Sequence, residues 1–215
     1  MFYIKRKMRI SDIMIALPMM IITATILPTE AATDIQAGNT TDTATFASGC
    51  FWCTEAIFQE LDGVISVMSG YTGGHVSKPS YREVCDGTTG HAEAINIIYD
   101  PEKISYVQLL EVFFQTHDPT SLNRQGADVG TQYRSAIFYH NEQQRLAAER
   151  TLKALDASGA WDNPIVTEVS KAGPFYPAED YHQDYYNNNR TAPYCNFVIV
   201  PKLDKFRKTF EELLK

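Results

Sequence analysis

Two cysteines three positions apart are the first candidates for chemistry in this chain. Cys50 and Cys53 lie in the segment GCFWC, between an alternating run, TATFASG, and a run in which apolar residues recur at helical spacing. The alternation predicts a strand that ends at Gly49, and the helical spacing predicts a helix that begins near Phe51. Unpaired N–H groups at a helix N-terminus lower the pKa of a nearby thiol, and the thiolate is the nucleophilic form. The sequence therefore predicts that Cys50 is a nucleophile with a lowered pKa.

The C-x-x-C spacing leaves other functions open. It is typical of dithiol redox sites of the thioredoxin type, and a pair of buried cysteines at a helix start has the same spacing. Two further cysteines, Cys85 and Cys195, allow two structural disulfides if the chain is exported. A structural zinc site would need a second close pair of ligands, which neither Cys85 nor His91 has. We therefore expect no metal.

A carboxyl group falls inside an apolar run further along the chain. Glu93 belongs to AEAINIIY, residues 92–99, which predicts a buried strand. On an exposed edge of the sheet this glutamate would be an ordinary surface residue. In a buried position its pKa would rise, and the protonated carboxyl group could then donate a proton. The sequence alone leaves both interpretations open.

A glycine-rich loop precedes another predicted strand, YRSAIFY. Asp128 and Tyr133 lie at the mouth of this strand, where they serve turn formation and packing as readily as substrate binding. After the strand, Asn141 followed by Gln144 resembles a capping box, and Gly159 is a typical helix stop. The pattern predicts a helix between these residues.

The first thirty residues differ in composition from the rest. A basic segment, KRKMR, precedes an apolar run of fifteen residues, Ile13 to Leu27, and small residues follow at Ala31 and Ala32. This order predicts a secretory signal over residues 1–31, and the polar residues 32–42 predict a linker. The alternative is an uncleaved N-terminal membrane anchor, but the run is shorter than the roughly 20 residues that span a bilayer. We expect an exported, periplasmic protein.

The net charge of the chain bears on its partners. The 215 residues carry a formal charge of −7, and removal of residues 1–31, with four basic and two acidic side chains, changes it to −9. An acidic domain argues against nucleic acid or an anionic membrane surface as partner. We expect no stable membrane association after cleavage.

Five short motifs are spread along the chain: GCFWC.E..F, Y..VC.G.TGHAEA, D.GTQYRSAIF, YHQDYY and PYCNFVIVPKL. Together and in this order they resemble the A-type peptide methionine sulfoxide reductases, from about Phe46 to Lys202. The resemblance implies an α+β fold, a two-layer sandwich with a ferredoxin-like βαββαβ core and an extended C-terminal coil. The catalytic domain would comprise residues 43–215. No metal, flavin or nucleotide cofactor is implied.

The resemblance also implies a reaction, the reduction of methionine sulfoxide, free or in peptides, to methionine. The S epimer would be the substrate. Cys50 would attack the sulfur while Glu93 protonates the oxygen. The hydroxyl groups of Tyr81 and Tyr133 would hold that oxygen.

Substrate-binding residues follow from the same resemblance. The methyl group of the substrate would lie against Phe51 and Trp52, and Asp128 would contact the substrate backbone. His182 is interpreted as a packing histidine, and a substrate contact from His182 or Asp184 is the alternative.

A second thiol is required after the first step. The product on the enzyme would be a sulfenic acid at Cys50, which must form an intramolecular disulfide before an external thiol can reduce it. Cys195 matches a resolving position of the family and lies in a tail that can move, so we favour it. Cys53, which replaces a glycine found in many relatives, is the alternative resolving thiol. Cys85 is predicted to lie in the core, and a thioredoxin-like protein is the expected reductant.

Two other classes of function remain as hypotheses. A general dithiol oxidoreductase would use Cys50 and Cys53 and would not need Glu93. A secreted, non-enzymatic domain would hold its four cysteines in two disulfides.

Overall fold

A computed structural model describes residues 41–215 of the chain. The strands within this range are β1 Asp42–Ser48, β2 Val64–Thr72, β3 Ala92–Tyr99, β4 Arg124–Gln125, β5 Asp128–Val129, β6 Ser135–Tyr139, β7 Glu168–Lys171 and β8 Tyr176–Pro177. The α-helices are α1 Phe51–Phe58, α2 Tyr81–Cys85, α3 Tyr106–Thr116, α4 Glu142–Ser158, α5 Tyr185–Asn188 and α6 Val200–Thr209. The predicted signal, residues 1–31, and the predicted linker up to residue 40 lie outside the described residues. Between residues 41 and 215, no helix has the length and apolar character needed to cross a bilayer.

Six strands form one mixed sheet in the order β7-β6-β1-β3-β2-β8. Strand β1 pairs antiparallel with β3 and β6, β2 pairs antiparallel with β3 and β8, and β6 pairs parallel with β7. The strands β1, β2, β3 and β6, with α1 and α3 as the crossovers, have the βαββαβ order of a ferredoxin-like fold. The predicted α+β class is confirmed.

The main core lies between this sheet and the helices. Phe46 of β1 packs against Phe113 of α3 with ring centroids 5.1 Å apart, whereas its neighbour Ala47 belongs to a small second cluster. Successive side chains of a strand point to opposite faces of the sheet, which explains why Phe46 and Ala47 belong to different clusters. Phe58 of α1 is fully buried in the main core. Because α1 is packed in this way, the position of Cys50 at its start is fixed.

Helix α4 begins and ends where the sequence predicts. The side chain of Asn141 accepts a hydrogen bond from the N–H of Gln144 over 2.9 Å. The side chain of Gln144 accepts from the N–H of His140 and not from that of Asn141, so the box is shifted by one residue. The helix ends at Gly159, whose φ of 63 degrees is the left-handed conformation typical of a helix stop.

The C-terminal segment is more helical than the predicted extended coil. A π-helix, Cys195–Ile199, runs directly into α6. Ile199, Leu203 and Phe206 are buried and recur at positions i, i+4 and i+7, so one face of this helix packs on the core. The helical spacing of these apolar residues therefore explains why the C-terminal segment is a helix and not the expected coil.

Candidate active site

Cys50 lies at the junction of β1 and α1, as the sequence predicts. The preceding Gly49 has a φ of 94 degrees, and a Cβ at this position would lie 2.6 Å from the Cβ of Gln125, so glycine is required. Cys50 is the N-cap residue of α1 but makes no side-chain cap hydrogen bond. Its carbonyl group accepts a hydrogen bond from the N–H of Cys53 over 3.2 Å. The thiol is buried at the N-terminus of α1.

The protonation of the two thiols differs from the prediction. Burial raises the pKa of Cys50 well above its ordinary value, and the hydrogen bond with Cys53 adds to the increase. The hydrogen bond from Cys50 lowers the pKa of Cys53 to about 7, against the effect of burial. The predicted lowering of the pKa at Cys50 is therefore wrong for the resting site, because an enclosed thiolate loses its hydration.

Glu93 lies on β3 and is 2% exposed, so the interpretation as an exposed edge residue is wrong. Its Oε2 accepts a hydrogen bond from the N–H of Phe51, the first residue of α1, over 3.1 Å. Burial raises the pKa of this carboxyl group to about 8, although the hydrogen bond opposes the increase. A carboxyl group that is largely protonated at neutral pH therefore lies beside Cys50.

Two tyrosine hydroxyl groups lie within electrostatic range of this carboxyl group. Tyr81 begins α2, Tyr133 ends the short 3-10 helix Thr131–Tyr133, and both are partly buried. Burial raises the pKa of both phenols, and the charge of Glu93 contributes to each increase. Both hydroxyl groups therefore stay protonated at neutral pH and are able to donate hydrogen bonds.

An aromatic cluster forms the wall next to Cys50. Phe51 is buried, and Trp52 is partly buried and stacks on Tyr185 with ring centroids 3.7 Å apart at an interplanar angle of 8 degrees. The indole N–H of Trp52 donates to Nδ1 of His182 over 3.1 Å. His182 is 1% exposed and also lies 4.3 Å from the ring of Tyr81, which supports its interpretation as a packing histidine.

A third group of residues, centred on Tyr194, contacts Trp52. The hydroxyl group of Tyr194 donates to Oδ2 of Asp128 over 3.1 Å and lies 3.8 Å from Sγ of Cys53. The ring of Tyr194 meets that of Trp52 edge-on at 5.6 Å. Tyr194 and Tyr185 are not among the site residues that the sequence predicts. Their only signal was a place inside two of the five motifs, PYCNFVIVPKL and YHQDYY.

The remaining cysteines occupy different environments. Cys195 follows Tyr194, is fully buried in the π-helix, and has a raised pKa because of burial and the charge of Cys53. Cys85 is exposed at the end of α2, so its predicted place in the core is wrong. In this five-residue helix only Val84 is buried, because the helix lies on the surface. All four cysteines are free thiols, and none is joined in a disulfide.

The described part of the chain contains no cluster of three or more histidine, cysteine, aspartate or glutamate side chains that could hold a metal ion. The groups that meet at the start of α1 are thiols, a neutral carboxyl group, phenols and aromatic rings. This arrangement can perform nucleophilic chemistry with proton transfer on a small polar group that carries an apolar substituent.

Comparisons with known proteins cover the same residues. A family model described as peptide methionine sulfoxide reductase matches residues 42–214. The peptide methionine sulfoxide reductase MsrA of Chromobacterium violaceum is 56% identical over 172 residues, which are 80% of this chain and 98% of that protein. The protein of the same name from Acinetobacter baumannii strain AYE is 55% identical over 172 residues, again 80% of this chain and 98% of the relative.

A solved structure supports the same assignment. Methionine sulfoxide reductase A of Corynebacterium diphtheriae superposes with a TM-score of 0.64 at 37% identity, covering 74% of this chain and 78% of the other. The family model covers all of the strands and helices that form the site. The chain therefore belongs to the peptide methionine sulfoxide reductase family.

Proposed function

We propose that this protein reduces methionine sulfoxide, free or in proteins, to methionine, with Cys50 as nucleophile and Glu93 as proton donor. The observation that carries this proposal is the hydrogen bond from the N–H of Phe51 to Oε2 of Glu93. It holds a carboxyl group with a pKa of about 8 beside the buried thiol at the start of α1. Reduction of a sulfoxide needs a nucleophile on sulfur and a proton on oxygen, and these two groups supply them.

In the first step Cys50 becomes oxidised as the substrate becomes reduced. The sulfur of Cys50 attacks the sulfoxide sulfur, and Glu93 protonates the sulfoxide oxygen. That oxygen passes to Cys50, so that a thiol and a sulfoxide become a sulfenic acid and a thioether. Two electrons move from Cys50 to the substrate, and the proton that the thiol of Cys50 loses returns to Glu93, so that the carboxyl group is again protonated. The protonated hydroxyl groups of Tyr81 and Tyr133 stabilise the oxygen during transfer.

Substrate selection rests on the aromatic wall. Phe51 and Trp52 offer an apolar surface to the methyl group, and Asp128 contacts the backbone of the substrate. We propose the S epimer as the substrate, because the resemblance of the five motifs to the family implies it.

A second thiol completes the cycle. The sulfenic acid at Cys50 condenses with a thiol to give a disulfide and water, and a thioredoxin-like protein then reduces the disulfide. We propose Cys195 for this role, because its neighbour Tyr194 contacts both Cys53 and Asp128. Cys53 is the alternative, because its thiol is hydrogen-bonded to that of Cys50.

One observation favours a second candidate function. Cys50 and Cys53 form a C-x-x-C pair of free thiols at the start of α1, and this spacing is typical of dithiol oxidoreductases. The two functions are separated by supplying the reduced protein with purified methionine sulfoxide epimers and, in parallel, with a disulfide-bonded protein such as insulin. Formation of methionine from the S epimer supports the reductase. Reduction of insulin without formation of methionine supports the dithiol enzyme.

For the place of action we propose export to the periplasm, followed by cleavage near residue 31. The order of basic, apolar and small residues in the first 32 positions supports this proposal. The test is the N-terminal mass of the protein recovered from the producing cell. A chain that begins near residue 32 agrees with export, whereas a membrane-bound chain that retains residue 1 indicates an anchor.

A further inference from the structure

Glu55 is a buried acidic residue that the proposed reaction does not use. It lies on α1 one turn after Trp52 and is 2% exposed. Burial raises the pKa of its carboxyl group to about 7, two backbone N–H donors oppose the increase, and the charge of Asp184 adds to it. Carboxyl groups are rarely buried unless their oxygens have partners. The partners of Glu55 therefore indicate its role.

Both oxygens of Glu55 accept hydrogen bonds from one turn of backbone. Oε1 accepts from the N–H of Asp184 over 3.0 Å, and Oε2 accepts from the N–H of Tyr185 over 3.4 Å. Asp184 has a φ of 50 degrees, in the left-handed region that residues other than glycine adopt at a cost in free energy. The carboxyl group of Glu55 thus helps to hold a strained backbone turn and joins it to α1, while hydrogen bonds from Asn187 and Asn188 hold the turn locally.

This turn belongs to a segment that we call the aromatic strap, residues 179–185. Glu179, at its start, accepts hydrogen bonds from the hydroxyl group of Tyr71 and the N–H of Tyr81. The side chain of Gln183 bonds to the backbone of β2. Side chains at both ends and in the middle therefore attach the strap to the sheet and to α1.

Two side chains of the aromatic strap hold Trp52. The ring of Tyr185 stacks on the indole, and Nδ1 of His182 accepts its N–H. Trp52 and Glu55 lie on the same helix, three residues apart. The contacts therefore form a closed loop, in which Glu55 fixes the strap and the strap fixes Trp52.

We propose that Glu55 is a positioning residue whose carboxyl group holds the aromatic strap, so that Trp52 forms a rigid wall for the methyl group of the sulfoxide. This inference rests on the proposed function, in which Trp52 binds that methyl group. Glu55 acts through Tyr185 and His182, and it hydrogen-bonds the strap rather than the reacting thiols. Its loss therefore weakens substrate binding more than it slows the chemical step.

The first experiment compares binding with chemistry in the full chain. Glu55→Gln keeps the shape of the side chain, but the amide is neutral and has only one acceptor oxygen. We expect the methionine sulfoxide concentration that gives half the maximal single-turnover rate to rise about tenfold, the upper end of the range for the loss of one ordinary hydrogen bond. The maximal rate should change by less than about twofold. The control Glu60→Gln removes a carboxyl group that pairs with Arg207, and it should leave both values unchanged.

The second experiment measures how accessible the indole of Trp52 is to solvent. The chain contains two tryptophans, so Trp161→Phe leaves Trp52 as the only indole that emits. In this background Glu55→Gln should increase the quenching of Trp52 fluorescence by acrylamide, because the stacked ring becomes more accessible. Unchanged quenching would overturn the proposal.

A double-mutant cycle tests whether Glu55 acts through Tyr185. Tyr185→Leu removes the stacked ring, and in its presence Glu55→Gln should cause little further weakening of binding. The proposal would be overturned if the two substitutions raised the half-saturating concentration of methionine sulfoxide additively. It would also be overturned if Glu55→Gln lowered the maximal rate and left the half-saturating concentration unchanged.

A second variant is needed if circular dichroism shows that Glu55→Gln does not fold. Glu55→Asp, which keeps the carboxyl group but shortens the side chain by one methylene, then replaces Glu55→Gln in all three experiments. Failure of the wild type to form methionine would instead refute the proposed function.

Discussion

The backbone N–H of Phe51 donates a hydrogen bond to Oε2 of Glu93 over 3.1 Å, and this bond joins α1 to the middle of the sheet. Glu93 lies opposite Tyr71 in the pairing of β2 with β3. Because Phe51 directly follows Cys50, the bond fixes the distance between the nucleophile and the proton donor. This distance depends on the position of α1, and α1 is held in place by its packing on the hydrophobic core. The chemistry of the site therefore depends on that core.

Replacement of the proton donor should slow the chemical step. Glu93→Gln keeps the shape and the hydrogen bond from Phe51 but cannot supply a proton, so the single-turnover rate of methionine formation should fall about 10²- to 10⁴-fold. Rapid-quench measurement of methionine with excess enzyme gives this rate. Glu102→Gln, at an exposed carboxyl group after β3, is the matched control and should react like the wild type. A wild-type rate for Glu93→Gln would mean that a tyrosine or water supplies the proton.

The pH dependence of the chemical step should show the same group. The pKa of Glu93 is raised to about 8, so the protonated fraction falls as the pH rises through this value. The single-turnover rate of the wild type should therefore decrease above pH 8. Glu93→Gln should lack this decrease, because its side chain does not titrate. A parallel decrease in both proteins would assign the titration to another group.

The stability of the fold should respond to the same ionisation. The pKa of Glu93 is about 8 in the folded chain and 4.5 as the ordinary value, so between these pH values the folded state binds more protons than the unfolded state. The free energy of unfolding of the wild type should decrease, relative to Glu93→Gln, as the pH rises from 4.5 to 8. The slope is at most about 1.4 kcal/mol per pH unit. Urea unfolding of both proteins at pH 5 and pH 8 measures the difference, and a constant difference would argue against a raised pKa.

Removal of the resolving thiol should separate chemistry from recycling. Cys195→Ser should form methionine at the wild-type rate in the first turnover but turn over poorly with thioredoxin, because no disulfide forms. Cys53→Ser should keep both activities largely intact. The opposite pattern would assign resolution to Cys53, the thiol that is hydrogen-bonded to Cys50. If only the variant that lacks both Cys53 and Cys195 turns over poorly with thioredoxin, either thiol is able to form the disulfide with Cys50, or the two act in sequence.

The sequence predicts those features of the site that local pattern determines. Cys50 at a helix start and Glu93 within a strand follow from periodicity, and the ends of α4 follow from Asn141 and Gly159. The grouping of the remaining site residues followed only from the resemblance of five motifs to a known family. A local sequence pattern does not show which residues far apart in the chain are in contact.

Two predictions were wrong because they depended on how deeply Cys50 and Cys85 are buried, which a local sequence pattern does not show. A helix N-terminus predicts a lowered pKa for Cys50, but the thiol is enclosed, and desolvation dominates. Cys85 was expected in the core, but α2 is too short to bury more than Val84. The bond between Tyr194 and Asp128 joins residues 66 positions apart, and no pattern along the chain indicates it.

In the proposed reaction Cys50 takes the oxygen of the sulfoxide, and mass spectrometry of the reacted protein shows whether it does. A variant with Cys53→Ser and Cys195→Ser is given each epimer of methionine sulfoxide without reductant, and the peptide that contains Cys50 is then weighed by mass spectrometry. We expect one methionine per protein chain from the S epimer and the added mass of one oxygen atom at Cys50, with neither product when Cys50→Ser is added. No methionine, equal reaction of both epimers, or an oxygen atom at Cys85 in place of Cys50 would contradict it.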